Sequence, residues 1–379
     1  MVKLSDVCDV RDGTHDSPKY VEYGYPLVTS KNIKNGQLDL SIVNFITEED
    51  YNKINERSKV DVGDIIMPMI GTIGNPYLVE EICDFAIKNV ALIKCDNIKV
   101  INKFVWYFLQ SNVFERYVDT KNKGGTQKFL SLGDIRAIEL PEVSIDKQKH
   151  IVEILTRVDG IVAKRKQQLQ KLDELVKARF VEMFGNSLNT VRLGDCCEVH
   201  ARIGWQALTK DEHMKTGDYM LVTGTDFKNG EIDYSTCVYV TKERYEMDRH
   251  IILQNDDVLI TKDGTIGKVA IIHNLPRPAT LNAGVFVVRP DERFNKEYIA
   301  NVFRGPLFSS YVEESKTGAT IKHLNQKRLV EFRIPVPSLE EQMTFAQFTK
   351  RMDESRLNIQ NSLDKLEMLK KALMQEYFG

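Results

Sequence analysis

Two long stretches of the chain place apolar residues at the spacing of a helix that buries one narrow stripe. In residues 146–183 these positions follow one another by three, four or seven: Ile151, Leu155, Val158, Val162, Leu169, Leu172, Val176 and Met183. In residues 339–377 the stripe consists of Phe345, Phe348, Met352, Ile359, Leu363, Leu366, Leu369 and Leu373. This heptad-like spacing predicts two helices, each about 57 Å long at 1.5 Å per residue. Because a narrow stripe is best buried against another helix, we expect the two to pair as an antiparallel coiled coil.

The stretch before each long helix has a different pattern, in which short apolar runs alternate with Gly, Asn and Asp turns. The runs are residues 64–67 and 90–93 in the first stretch, and 258–261 and 284–288 in the second. Such runs predict strands, interrupted by one amphipathic helix at about residues 103–118 and again at 297–311. The pattern therefore predicts an α+β protein with two sheet-rich domains separated by two long helices.

Helix-breaking residues mark the ends of these segments. Pro141 precedes the first long helix, Pro335 and Pro337 precede the second, and Gly185 follows the first. Proline cannot continue a helix, and glycine is common where a helix stops. We therefore predict domains at residues 1–145 and 186–338, with helices at 146–185 and 339–379.

The second half of the chain repeats the first. Gly71-Thr72-Ile73-Gly74 returns as Gly264-Thr265-Ile266-Gly267, and residues 171–175 return as 365–369. The repeat is a duplicated domain, because solenoid repeats run at roughly 20–50 residues. The residues that lead from the first long helix into the second domain match the last residues of the chain. We therefore expect the two chain ends to adjoin, in a circular layout with a pseudo-twofold axis.

Composition narrows the function classes. No stretch approaches the roughly 18 apolar residues of a membrane span, and the first residues lack the apolar core of a signal peptide, so we expect a cytoplasmic protein. The six cysteines show no spacing suited to zinc and are expected to be reduced structural thiols. A net charge of −2 argues against a protein that holds nucleic acid alone through its global charge. Any nucleic-acid contact is therefore expected to be local, or shared with partners.

No complete catalytic motif is found in the sequence, although two segments resemble one. The run Gly264-Thr265-Ile266-Gly267-Lys268 lacks the spacing of a phosphate-binding loop. Asn75-Pro76-Tyr77 is one proline short of the catalytic loop of amino-methyltransferases, and the second copy does not repeat it. The seven scattered histidines form no catalytic pair. We therefore predict no catalytic site and no resident metal or cofactor.

Two paired Gly-rich segments are candidates for contacting a ligand. Glycine permits positive φ and close approach of the backbone, and flanking Lys, Thr and Gln suit phosphate and base-edge contacts. A purely structural hairpin, or a solvated charged loop, explains the same residues. The candidate DNA contacts are Gly71, Thr72, Gly74, Lys123, Gly125, Thr126, Gln127 and Lys128 in the first copy, and Gly264, Thr265, Gly267, Lys268, Lys316, Thr320, Lys322 and His323 in the second.

The two copies differ most between residues 12–18 and the matching residues 201–207, while the flanking segments agree. A shared scaffold with divergent loops is what two readers of different sequences need. The further candidate DNA contacts are Thr14, His15 and Lys31 in the first domain, and Arg202, Trp205 and Thr225 in the second.

Taken over its whole length, the chain resembles the specificity subunits of type I restriction-modification systems. The resemblance lies in two domains that each contain a Gly-Thr-Ile-Gly turn and a Gly-rich loop and are each followed by a long spacer helix. The family's Pro-rich helix entry is present as residues 335–342, ending in Glu340-Glu341-Gln342. The first copy, residues 141–148, keeps Gln148 and loses the acidic pair.

The resemblance implies a non-catalytic DNA-reading subunit whose two target-recognition domains each bind one half of a bipartite, asymmetric target. It implies partners that supply the chemistry, namely two methyltransferase subunits and ATP-driven restriction subunits, which use S-adenosylmethionine, ATP and Mg. The helices are expected to set the gap between half-sites and to dock the methyltransferases, with partner contacts at Gln148, Glu341 and Gln342. The alternatives are a coiled-coil scaffold that bridges proteins without DNA, and an unrecognised catalytic role.

Overall fold

The computed structural model describes residues 1–71, 73, 75–81, 84–96, 98–122, 129–185, 187, 189–204, 208–228, 230–314 and 324–379. Helices and sheets alternate as predicted, with two sheet-rich parts and two long helices, so the α+β prediction is confirmed. The described chain forms two compact units. One comprises residues 1–166 and 361–379, and the other comprises residues 167–360.

The part of the chain before the first long helix contains eleven described strands and five short helices. The strands are β1 (Val2–Lys3), β2 (Cys8–Asp12), β3 (Tyr25–Val28), β4 (Ile33–Lys34), β5 (Gln37–Leu38), β6 (Asn44–Ile46), β7 (Ile65–Pro68), β8 (Tyr77–Leu78), β9 (Ala86–Ile87), β10 (Val90–Cys95) and β11 (Glu139–Leu140). The helices are α1 (Leu4–Val7), α2 (Glu48–Ser58), α3 (Asn102–Phe108), α4 (Asn112–Lys121) and α5 (Leu132–Arg136), and the long helix is α6 (Ile145–Phe184).

The second half of the chain repeats this order. Its strands are β12 (Thr190–Arg192), β13 (Cys197–Ala201), β14 (Tyr219–Val222), β15 (Phe227–Lys228), β16 (Glu231–Ile232), β17 (Val238–Val240), β18 (Val258–Thr261), β19 (Val269–Ile271), β20 (Ala279–Leu281), β21 (Val285–Pro290) and β22 (Arg333–Pro335). Its helices are α7 (Lys242–Glu246), α8 (Lys296–Arg304), α9 (Pro306–Glu314), α10 (Gln326–Leu329) and the long α11 (Leu339–Phe378).

Each domain is built around a four-stranded antiparallel sheet, in the order β2-β10-β7-β8 in the first and β13-β21-β18-β19 in the second. Successive residues of a strand point to opposite faces, and both faces are covered here. Ile65 and Met67 enter the core beside the helices, whereas Ile66 enters a second core beneath the three-stranded sheet β6-β3-β9. Burial on both faces explains why these strands are continuous apolar runs.

The single amphipathic helix predicted at residues 103–118, and at 297–311 in the second copy, is wrong. Each copy has two helices at this place, α3 and α4 in the first and α8 and α9 in the second. The hydroxyl of Ser111 caps the start of α4 by accepting a hydrogen bond from the backbone N–H of Phe114. Pro306 occupies the first position of α9, where a helix does not use the backbone N–H that proline lacks. The apolar period continues across both breaks, which is why the pattern did not reveal them.

The two long helices run antiparallel within the first unit. Asp159 of α6 pairs with Lys370 of α11 at 2.6 Å, and Lys166 pairs with Glu367 at 3.4 Å. Residue numbers therefore rise along α6 as they fall along α11. The end of α11 packs on the first domain, where the ring of Phe378 lies 5.2 Å from that of Phe104.

The second unit contains the other halves of the same two helices. Phe345 is fully buried, and its ring lies 5.6 Å from that of Phe180 and 5.4 Å from that of Phe184. Phe184 in turn packs edge-on against Tyr298 of α8. Aromatic side chains that continue the predicted apolar stripe therefore join both helices to the second domain.

The five cysteines in the described part of the chain are free thiols, and four of them are buried. None of the helices in this part combines the length and the apolar character needed to cross a lipid bilayer.

Candidate nucleic-acid interface

In the first domain, the predicted loops leave the four-stranded sheet at one end. Asp12, the last residue of β2, lies opposite Ala91 near the start of β10, and Val90 lies opposite Pro68, the last residue of β7. The divergent loop after Asp12 and the Gly-Thr-Ile-Gly turn after Pro68 therefore begin side by side. No local sequence pattern indicates that these two segments lie together, because their proximity depends on strand pairing.

The residues that flank the Gly-rich segment 123–128 lie at the same end of the sheet. The backbone N–H of Leu130 donates to the carbonyl of Met69 at 2.9 Å, and Phe129 forms a bridge with Ile70. On the other side, the side chain of Asn122 accepts a hydrogen bond from the backbone N–H of Phe129 at 2.6 Å. Both Gly-rich motifs of the first copy thus begin from adjoining backbone.

The second domain repeats this arrangement. Ala201, the last residue of β13, lies opposite Phe286, and Val285 lies opposite Thr261, the last residue of β18. The backbone N–H of Leu324, which follows the second Gly-rich segment, donates to the carbonyl of Lys262 at 2.8 Å. The described residues that begin or follow the three equivalent segments therefore lie at the same end of the equivalent sheet.

A buried hydroxyl organises the Gly-Thr-Ile-Gly turn of the second domain. The Oγ1 of Thr261 donates to the carbonyl of Thr265 at 2.5 Å and accepts from the backbone N–H of Lys268 at 3.0 Å. Gly264 and Gly267 have φ of +67° and +85°, in the region that a side chain disfavours. The turn therefore presents Thr265 and Lys268 with exposed side chains.

The first domain has Pro68 at the position of Thr261 and therefore lacks this hydroxyl. Gly71 keeps a positive φ of +83° and has open space where a side chain would stand. The backbone N–H of Ile73 donates to the carbonyl of Gly71 at 3.0 Å. The first glycine therefore has a positive φ in both turns, whereas the hydrogen bonds that stabilise the two turns differ.

The divergent loop of the first domain holds Thr14 and His15 beside the sheet end. The backbone N–H of Thr14 donates to the carbonyl of Ile87 at 3.0 Å. The imidazole of His15 places Nε2 at 2.7 Å from a carboxylate oxygen of Asp12 and Nδ1 at 2.8 Å from Oδ1 of Asn89. Hydrogen bonds to Asp12 and then to Asn89 raise the pKa of His15 above its ordinary value. Two acceptors on one ring favour the imidazolium.

Arg202 corrects an expectation, because its side chain lies in the interior. It is 1% exposed, and its Nε donates to the carbonyl of Leu281 at 2.8 Å while Nη2 donates to Oγ1 of Thr280 at 3.1 Å. Burial lowers the pKa of this guanidinium. A buried cation needs its donors satisfied internally, so Arg202 supports the loop instead of presenting its charge at the surface.

Lys31 and Thr225 occupy matching turns after β3 and β14. The carbonyl of Val28, at the end of β3, accepts from the backbone N–H of Lys88, which also bridges to Thr14. Both Lys31 and Thr225 are exposed. The turn that carries Lys31 therefore starts beside the divergent loop.

Gln148 and Gln342, predicted to contact partners, are instead buried inside their own domains. The side-chain oxygen of Gln148 accepts from the backbone N–H of Ile101 at 2.9 Å, and that of Gln342 accepts from Asn295 at 2.8 Å. Buried amides such as these are bonded to backbone groups of their own domains and are not exposed to a partner. Both glutamines therefore join a long helix to its domain, which argues against a partner contact through either side chain.

Glu341 is exposed but also has a local role. Its carboxylate accepts from the backbone N–H and the hydroxyl of Ser338, both at 2.8 Å, while the Ser338 hydroxyl accepts from the backbone N–H of Glu341. This reciprocal pair is a capping box, and the Ser338 hydrogen bonds lower the pKa of Glu341. The first copy has Lys147 at the matching position, which cannot accept.

The other predicted contacts lie outside the described residues. They are Thr72, Gly74, Lys123, Gly125, Thr126, Gln127, Lys128, Trp205, Lys316, Thr320, Lys322 and His323.

Sequence reasoning missed Asp12, Arg57 and Asn89, which surround His15. Arg57 of α2 forms an ion pair with Asp12, 45 positions away in sequence. No local pattern announces a contact between residues so far apart. Within the described part of the chain, no group of three or more His, Cys, Asp and Glu side chains is arranged to hold a metal ion.

Comparison with known proteins gives consistent matches along the whole chain. The family model described as type I restriction modification DNA specificity domain matches residues 1–174 and again residues 187–368. A putative type I restriction enzyme MjaX specificity subunit from Methanocaldococcus jannaschii is 22% identical, over 98% of this chain and 91% of that protein. The type I restriction enzyme EcoR124I/EcoR124II specificity subunit from Escherichia coli is 23% identical, over 78% and 74%.

Solved structures share the fold at low sequence identity. A chain from a study of complex assembly and conformational transition of the type I R-M system superposes with a TM-score of 0.62 at 17% identity, covering 100% of this chain and 96% of that one. The type I restriction-modification S subunit from M. genitalium gives a TM-score of 0.55 at 14% identity, covering 100% and 95%. At these identities the likeness concerns the fold alone.

Proposed function

Because the chain belongs to the type I restriction modification DNA specificity family, we propose that each of its two domains reads one part of a split DNA target. The chain itself is a non-catalytic reader. Two methyltransferase subunits and ATP-driven restriction subunits supply methylation and cleavage, and use S-adenosylmethionine, ATP and Mg to do so.

The observation that carries this proposal is that three segments begin or end at the same end of the four-stranded sheet in both domains. In each domain the divergent loop, the Gly-Thr-Ile-Gly turn and the flanks of the Gly-rich segment share this end. Loops on a rigid sheet are a suitable support for recognition. The scaffold is common to the two domains and the loop residues are not, which suits two half-sites of different sequence.

The chemistry of these loops suits a duplex. Exposed Lys268 and Thr265 can contact phosphates and determine the register, while the divergent loops reach base edges in the major groove, where all four base pairs are distinguishable. A net charge of −2 supplies little global attraction to DNA. The methyltransferase subunits therefore contribute part of the binding to the duplex.

The long helices have a separate role. They determine the length of the unspecified gap between the half-sites, and they dock the methyltransferases. Support for docking comes from exposed apolar side chains along both helices, since exposed apolar surface commonly marks an interaction site. These residues are Ile161, Leu175 and Val181 on α6, and Leu339, Met343, Leu357, Met368 and Leu369 on α11. Leu369 is 47% exposed, although the heptad-like spacing predicted it in the buried stripe.

The proposal is tested by expressing the chain in cells with its cognate methyltransferase subunits and sequencing the modified bases. We expect one motif made of two short, unlike sequences around a gap. Exchanging residues 1–140 for the first domain of another family member is expected to change one half-site and leave the other intact.

Two results would contradict this function. A change in both half-sites after the exchange means that the domains do not read independently. Methylation that is absent, with no duplex binding even when the methyltransferase subunits are added, supports a protein-bridging scaffold instead.

A further inference from the structure

A buried carboxylate at the sheet end of the first domain holds an exposed arginine. The residue Asp12 is 5% exposed, whereas the side chain of Arg57 is 69% exposed. Nη2 of Arg57 donates to one carboxylate oxygen of Asp12, and Nε2 of His15 lies 2.7 Å from the other. One acid thus anchors two side chains beside the divergent loop.

The backbone under this arginine is also held. Arg57 lies in the last turn of α2, and its carbonyl accepts a hydrogen bond from Nη1 of Arg11 at 2.9 Å. Ser58 donates its hydroxyl to the carbonyl of Ile54 at 3.0 Å. Among the described residues, Asp12 is the one acceptor of the Arg57 guanidinium. Because the Arg57 side chain is 69% exposed, its remaining donors are accessible to a ligand.

An arginine of this kind suits a base better than a phosphate. A guanidinium presents donors in a rigid fork, and a fork held by a buried acid can address two acceptors in one plane. The O6 and N7 atoms of guanine in the major groove are such a pair, and an arginine bonded to both is the commonest specific base contact. A phosphate contact needs charge but not this orientation.

The second domain lacks the anchor. The position of Asp12 at the end of β2 corresponds to Ala201 at the end of β13, which carries no carboxylate. In the second domain the buried guanidinium of Arg202 instead donates to the carbonyl of Leu281. A device present in one copy suits the reading of one half-site, whereas a shared phosphate contact should occur in both.

We propose that Arg57 reads a guanine in the half-site of the first domain, with Asp12 as the residue that positions its guanidinium. This inference rests on the proposed function. It adds a residue that the sequence pattern did not indicate and a base for it to recognise.

The test uses the full chain with its methyltransferase subunits and the target found by sequencing modified bases. We expect the substitution Arg57→Lys, which keeps the charge and can keep the ion pair, to lower discrimination for one guanine by about 5- to 150-fold. The other half-site should be unaffected. Lys53→Ala, an exposed position of the same helix, serves as the control and should leave the preferred bases unchanged.

Asp12→Asn separates positioning from charge. It retains the arginine, so the salt dependence of binding should remain while discrimination for the same guanine falls. A merely structural role of Asp12 would lower stability without this selective loss. Duplex containing 7-deazaguanine at that position tests the unmodified protein, because it removes the N7 acceptor, and it should bind more weakly.

The outcomes distinguish the two proposals. A wild-type complex that recognises no split motif contradicts the proposed function. A split motif whose first half-site contains no guanine, or whose guanine preference survives Arg57→Lys and whose binding ignores 7-deazaguanine, overturns the role of Arg57 and leaves the proposed function intact.

Discussion

The side-chain oxygen of Gln342 accepts a hydrogen bond from the backbone N–H of Asn295 at 2.8 Å, across 47 positions of sequence. The same amide donates through Nε2 to the carbonyls of Arg293 and Pro337. Gln148 repeats the relationship with Ile101 and Val143 in the first copy. In each copy, the hydrogen bonds of this glutamine therefore connect a long helix to its domain.

We expect Gln342→Leu to lower the free energy of unfolding by about 2–4 kcal/mol, because it leaves buried backbone groups without partners. Urea unfolding followed by circular dichroism measures the change. Gln167→Leu, at an exposed position of α6, is the matched control and should change stability by less than about 0.5 kcal/mol. Equal stability of both variants would show that the buried amide contributes nothing.

The aromatic cluster around Phe345 makes a second prediction about stability. This residue is fully buried between Phe180 and Phe184, so Phe345→Ala leaves a cavity and is expected to cost about 3–5 kcal/mol. Met343→Ala lies two residues earlier in the same helix, is 53% exposed, and should cost little. Unfolding midpoints compared for the two variants check this. A similar loss in both would mean that the buried packing of the Phe345 ring contributes no more than the exposed Met343 side chain does.

Lys268 tests whether the Gly-Thr-Ile-Gly turn is a structural hairpin or a phosphate contact. Its side chain is exposed, while its backbone N–H is bonded to Thr261, so Lys268→Ala should not disturb the turn. With methyltransferase subunits present, we expect weaker binding to every duplex and a reduction of about one in the slope of log affinity against log salt. Lys371→Ala on α11 is the control. An unchanged slope favours the hairpin alternative.

His15 predicts a pH-dependent contribution to stability. Its pKa in the folded state is raised above 6.5 by Asp12 and Asn89, so the contribution is fully present below about pH 6.5 and is lost as pH rises through the folded-state pKa. The difference in melting temperature between wild type and His15→Gln should therefore shrink as the pH rises. In the background of Asp12→Asn the pH dependence should be weaker. A difference that stays constant with pH contradicts the role of the ring charge.

The long helices, the two sheet-rich domains and the duplication were all predictable from the sequence. Heptad spacing, apolar runs and turn residues are local signals, and each recurs in the second copy. The same patterns did not show that each predicted short helix is in fact two. The apolar period continues across Ser111 and Pro306, whereas the helical backbone is interrupted there.

The sequence alone also indicated which segments diverge, and so where two readers of DNA should differ. Only the tertiary structure decided which contacts individual polar residues make. Arg202 and Gln342 have polar side chains typical of surfaces, yet both are buried because distant backbone carbonyls and N–H groups meet them. Arg57 became a candidate reader only when Asp12 was brought beside it. Periodicity along the chain reports which elements form, whereas the partner of a polar group depends on how strands far apart in sequence pair.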